Sequence, residues 1–293
     1  MDSCVADLRN AQTRWAETAE VPLLGAFAGK ARPDYTRDYA DNLFEPLSAD
    51  ARTQFGTADG NELTGGTKRP AKMAALHSSS ALACNFFHYW SSRGLLTPVL
   101  EACGLPPGPV SQFALEAKLP IDARFKYAPN LDACVTYGAD APIALAAVEC
   151  KFCEPFAGKK TLLSDKYLAD GLADLWADRP ALRALAASST NRDTIEYRHL
   201  DVPQLLKHLL GLRRQGVGRP THLLYLYFDP AGPEGSAHRD ELQRFAAVAA
   251  ADGVGFSTLS YQLVMSRLEA QRAAHATWFD YMTARYFSSD SGI

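Results

Sequence analysis

No apolar run in this 293-residue chain survives long without interruption by charge. None reaches the roughly 20 residues a membrane-spanning helix takes. The opening MDSCVADLRN carries an acid at its second position and no apolar h-region. No secretory signal is therefore expected, and the chain reads as cytoplasmic. Cysteine is sparse: Cys4, Cys84, Cys103, Cys134, Cys150 and Cys153 suit reduced, buried thiols rather than a disulfide framework. An excess of positive charge is missing too, with 30 Lys and Arg against 33 Asp and Glu and a net charge of −3. A nucleic-acid ligand would then have to meet a local basic surface or a bound metal ion. Internal repeats and low-complexity segments are absent, which leaves out solenoids and disordered arrays.

What is present is ordinary for a globular protein, 47% hydrophobic and 22% charged. The length exceeds the needs of one small core without filling two generous domains. Residues 1–105 read as a mostly helical region with an irregular middle. Leu8, Trp15 and Ala19 recur at helical spacing, Leu43 to Phe55 suggests a short helix, and 56–72 has the composition of a loop. The stretch from Met73 to Gly104 predicts one or two helices stopped by Pro106 and Pro107.

The texture changes after Val110. SQFALEAKLPI, LDACVTYG and IALAAVECKF predict three strands. LLSDKYLADGLADLWA and DVPQLLKHLLGLRRQ predict helices, and THLLYLYFD a strand covered on both faces. A helix up to Gly253, a strand FSTLSYQLV and a long closing helix complete the order. The expected fold is α/β, a mixed central sheet flanked by helices (106–293), with the helical N-terminal region packed on it in one compact unit.

Between Glu116 and Glu154 lies the chemistry. Asp132 opens one predicted strand, and Glu149 and Lys151 stand two apart on the next, so they share a face. If those strands form a hairpin, two carboxylates and one ammonium converge at the end of an apolar strand. Such a set suits phosphodiester cleavage. Carboxylates hold a hard Mg²⁺ ion, and an amine beside them offsets charge in the transition state.

Pro129-Asn130-Leu131-Asp132, followed by an apolar strand ending Glu149-Cys150-Lys151, resembles the PD-(D/E)XK nuclease superfamily of restriction-endonuclease-like proteins. The proline stands three residues before the aspartate instead of next to it. The surroundings, SSSALACNFF upstream and ECKFCEP downstream, are similar to bacterial restriction-endonuclease-like proteins. The resemblance implies a Mg²⁺-dependent DNA endonuclease, with Mn²⁺ as a substitute and a homodimer as a possible active form. Asp132 and Glu149 would be metal ligands and Lys151 the catalytic cation. A further acid is expected from either Glu116 or Glu62, which the sequence does not separate. Gln204, with His208 one turn later, lies on the helix where related nucleases place a glutamine. A polar stripe is the plainer reading of both. Arg213, Arg214, Arg219, Lys159 and Lys160 would touch phosphates or simply be solvated. A catalytically silent binding protein of the same fold is the rival reading.

Two other signals carry less. Cys150 and Cys153 form half a zinc site at best, with Cys134 and Cys153 expected toward the active-site side. GNELTGGTK lacks the lysine and the preceding strand of a phosphate-binding loop.

Overall fold

The computed structural model of the chain describes residues 3–287 apart from 59, 159–160 and 195. Lys159 and Lys160 therefore lie outside the described residues. Helix α1 (Ser3–Thr18) leads into a hairpin of β1 (Leu23–Phe27) and β2 (Lys30–Thr36). The hairpin corrects the reading of residues 1–105 as helices and loops. LLGAF and KARPDYT show no apolar alternation, and most of their residues stay partly or fully exposed. Its signal is the turn, where Ala28 and Gly29 both take positive φ (49° and 75°), as a tight two-residue hairpin loop requires.

Helix α2 (Ala49–Thr57) starts at Ser48, whose hydroxyl accepts the Ala51 amide. Ser78 does the same for Ala81 at the start of α3 (Ser79–Ser92), and α4 (Leu96–Ala102) follows. Side-chain oxygens there satisfy amides that the first turn of a helix leaves without partners.

Five strands make the central sheet: β3 (Val110–Lys118), β4 (Asn130–Tyr137), β5 (Leu145–Lys151), β6 (Thr221–Tyr227) and β7 (Gly255–Ser260), in that spatial order. The first three pair antiparallel, and β5, β6 and β7 run parallel. Parallel neighbours need crossovers. Short turns, α5 (Ala173–Trp176), α6 (Pro180–Ser188) and α7 (Val202–Gly216) link β5 to β6, and α8 (Pro233–Ala251) links β6 to β7. Helices α9 (Tyr261–Arg267) and α10 (Ala276–Tyr286) close the chain.

Alternate side chains of β5 serve two cores. Ala146, Val148 and Cys150 pack in one cluster with Phe86, Trp90 and Trp278, whereas Leu145 and Ala147 join Leu205, Leu209 and Phe245 in the other. Coverage of both faces explains the unbroken apolar run of β6.

Three boundaries differ from expectation. LLSDKYLADGLADLWA forms short 3₁₀ turns and a four-residue helix, because Asp165, Asp170 and Gly171 interrupt its apolar spacing. In FSTLSYQLV the strand stops at Ser260, whose hydroxyl accepts the Leu263 amide and starts α9. The closing helix is two helices joined by a 3₁₀ turn at Glu269–Gln271. No described helix is long and apolar enough to cross a membrane.

Candidate active site

Pairing between β4 and β5 runs from Thr136–Leu145 down to Ala133–Val148. Just beyond it, the Asp132 side chain takes over. Its Oδ2 accepts the next β5 amide, Cys150 N–H, at 2.6 Å. The carboxylate is thereby fixed beside Glu149. Strand alternation puts Glu149 and Lys151 on the α7 side of the sheet, with Lys151 Nζ 2.6 Å from Glu149 Oε1.

Helix α7 supplies the other two contacts. Asp201 caps it by accepting the Gln204 amide at 3.0 Å, and Thr161 donates to the same carboxylate oxygen at 2.5 Å. From its first turn, Gln204 accepts the Lys151 ammonium on Oε1 at 2.8 Å. One turn on, the buried His208 places Nε2 2.9 Å from Glu149 Oε2. Positions four apart on a helix share a face, so one element clamps both members of the Glu149–Lys151 pair. Gln204 is thus at the site and not on a solvated stripe. The sequence placed His208 one turn after Gln204 without foreseeing its contact with Glu149.

Both candidates for the further acid lie beside the cluster. Glu116 stands opposite Asp132 in the β3–β4 ladder and is buried. Glu62 is buried in the segment before α3, where Lys72 Nζ reaches its Oε1 at 3.2 Å. Glu154, past the end of β5, accepts the Phe152 amide at 3.0 Å and opens a 3₁₀ turn.

Electrostatics follow from four acids sharing two lysines, Lys151 inside the cluster and Lys72 at its edge. Burial, with Glu62 and Glu149 nearby, pushes Glu116 up to about 8. Burial, Glu149 and Glu116 raise Asp132 well above the usual carboxylate range. Glu149 goes the other way. Burial alone would raise it, but Lys151 and His208 together bring it down to about 2. Burial opposes the charge on Lys151 also, yet the surrounding anions raise its pKa above the ordinary value. The pair Glu149–Lys151 is therefore ionised, while Asp132 and Glu116 hold negative charge only at a cost. A divalent cation would relieve that cost, and carboxylate oxygens are the donors a hard ion takes. Among the described residues, no three His, Cys, Asp or Glu side chains are already spaced as a metal cage. The Glu149 oxygens are instead packed on Lys151 and His208.

The three cysteines of the possible zinc site do not meet. Cys150 and Cys153 belong to one core cluster and Cys134 to the other, across the sheet. Burial raises Cys150 and Cys153 well above the usual thiol range and Cys134 to about 12, which makes them neutral apolar side chains.

No curated protein and no solved structure matches the chain. A protein family described as restriction endonuclease associating with ARP matches residues 9–287, and that description suggests a nuclease. Because the match runs through every strand of the sheet and every residue of the acid cluster, the chain belongs to the family of restriction endonucleases associating with ARP.

Proposed function

We propose that the chain is a Mg²⁺-dependent DNA endonuclease that hydrolyses phosphodiester bonds at the cluster of Asp132, Glu149 and Lys151. One observation carries the reading: buried carboxylates outnumber the cations that accompany them, at the end of an apolar strand. A structural ion pair would need only Glu149 and Lys151, and adding Asp132 and Glu116 to it costs stability. Such an arrangement is retained where the excess charge serves a ligand.

Asp132 and Glu149 would hold the ion, with Glu116 or Glu62 as the outer acid and Mn²⁺ as a substitute. When bound, Mg²⁺ polarises the phosphate and lowers the pKa of a coordinated water. Lys151 contributes a fixed ammonium, held between Glu149 and Gln204, that offsets the charge added to phosphorus in the transition state. Gln204 accepts a second N–H of that ammonium and so fixes its direction beside Glu149. His208 holds the second Glu149 oxygen from the other side. DNA as the substrate rests on the family. A single site per chain would cut both strands most simply as a homodimer.

A silent binding protein of the same fold is the second reading, favoured by one observation. Both Glu149 oxygens are engaged, and no ready-made cage surrounds them. Metal binding separates the two. Isothermal titration with Mg²⁺ or Mn²⁺ is expected to give a site in the wild type that Asp132→Ala loses. Cleavage of plasmid DNA is expected to need either ion and to fall by about 10²–10³-fold in Lys151→Ala. Metal binding absent in the wild type would leave the silent reading standing.

A further inference from the structure

Helix α7 begins at the acid cluster and ends at a cleft of about 870 Å³ at the other end of the strands, where β6 and β7 begin. Arg179, Arg213, Arg214 and Arg219 all line it. In a chain of net charge −3, four guanidinium groups in one cleft are a strong local departure. Asp174 is the one acid among the described residues that line the cleft, and Asp252, near Arg179, spends its oxygens on the amides of Ala181 and Leu182 at 3.1 and 2.7 Å.

Two of the arginines have structural employment. Arg219 donates to the carbonyls of Gly138, Ala141 and Ile143 at 2.8–3.0 Å, binding the end of β4 to the turn before β6. Arg214 donates to Ile121 O at 2.9 Å and pairs with Asp174 at 3.0 Å. The other two do not. Arg213 gives one N–H to Ala177 O at 2.9 Å and has no carboxylate partner among the described residues. Arg179 has neither a side-chain hydrogen bond nor an ion pair there. It sits close enough to Arg213, half-buried, that burial and then this like charge bring its pKa down to about 10. Two guanidinium groups lining one cleft repel each other, and an anion bound there would offset that repulsion. The cleft is also open at its rim, where Gly218 and Gly253 take positive φ and carry no side chain.

We propose that this cleft is a second anion site, which takes phosphates of a nucleic-acid backbone remote from the bond being cut. Gln204 and Arg213 are nine positions apart on α7, about 14 Å, so the two sites bind different phosphates. Phosphate is the chemistry that the arginines recognise. Nucleic acid as its source rests on the nuclease reading, and a free nucleotide would offer the same group.

The test measures binding and cutting separately. Fluorescence anisotropy with a labelled duplex of about 30 base pairs, in EDTA so that nothing is cut, compares the wild type with Arg179→Ala/Arg213→Ala. The double variant is expected to bind at least about tenfold more weakly at about 0.1 M salt, with a slope of log K on log salt shallower by about 2. Arg179→Lys/Arg213→Lys restores most of the affinity, because charge rather than shape is what binds. Thermal unfolding of the alanine double variant is expected close to that of the wild type, since relief of the repulsion offsets the lost Arg213–Ala177 hydrogen bond. Unchanged DNA affinity and slope in the double variant overturn the proposal. If ATP stabilises the wild type but not that variant while DNA binding is unchanged, the site takes a free nucleotide and the nucleic-acid assignment falls. A wild type that binds through this cleft but never cuts refutes the nuclease reading and leaves the cleft assigned.

Discussion

Glu116 bears two costs at once. Its φ of +51° lies in the left-handed region inside a strand, worth of order 1–3 kcal/mol of strain for a residue other than glycine. Its carboxyl is also held neutral, with a pKa near 8. An acid whose folded pKa exceeds its ordinary 4.5 supports folding only while protonated. That support is complete below about pH 4.5 and disappears as pH climbs through about 8. Glu116→Gln should therefore match the wild type in stability at pH 5 and exceed it at pH 8.5, measured by thermal unfolding in EDTA. Equal pH profiles for the two proteins would remove Glu116 from the strained cluster. Glu149 is the opposite case, since among the described residues it is the one anion in direct contact with Lys151 and His208. Glu149→Ala leaves a buried ammonium without its partner and should cost about 3–5 kcal/mol in denaturant unfolding. Glu149 and Lys151 were legible because strand alternation alone puts them on one face. For His208 the sequence shows its place one turn after Gln204, but not its contact with Glu149, which lies 59 positions earlier.

Helix α7 is the element that turns a buried ion pair into a positioned one. Its start is fixed by Asp201, which holds the Gln204 amide and the Thr161 hydroxyl together, with Pro203 setting the first turn. Removing the cap by Asp201→Ala should cost about 1 kcal/mol of stability. It should also loosen Gln204 against Lys151, lowering kcat for DNA cleavage while leaving DNA affinity unchanged. A fall in affinity with kcat preserved would mean that the first turn of α7 grips substrate instead of aligning the lysine. The strands β4, β5 and β6 could be read directly because burial on one or both faces leaves an apolar signature. The hairpin of β1 and β2 could not, since an exposed strand has no reason to alternate. The end of β7 was hidden for a different reason. Tyr261, Val264 and Met265 are as apolar as the strand before them, and only the Ser260 cap marks the change.

At the scale of the whole molecule, Arg285 joins the two ends of the chain to the acid cluster. It is 2% exposed, in α10, and its hydrogen-bond partners are all neutral. Its Nε donates to Gln12 Oε1 in α1 at 3.2 Å, and its Nη atoms donate to both oxygens of Asn42 and to Leu76 O. Asn42 in turn donates to the carbonyls of Met73 and Ala75, at 2.6 and 2.8 Å, and the Met73 amide donates to Glu62 O at 3.0 Å. The segment that carries Glu62 and Lys72 therefore hangs on a buried guanidinium far from it in sequence, through contacts that no local pattern announces. Replacing Arg285 with leucine leaves several buried acceptors unsatisfied, at about 1–3 kcal/mol each. The sheet has its own core on the α7 side and should stay folded under conditions where residues 30–76 open first. Hydrogen exchange on Arg285→Leu should show faster exchange in that segment and in α1, with β4, β5 and β6 protected as in the wild type. Uniform acceleration across the sheet would instead mean that the two cores unfold as one, and that the outer acid of the site is no less secure than its strands.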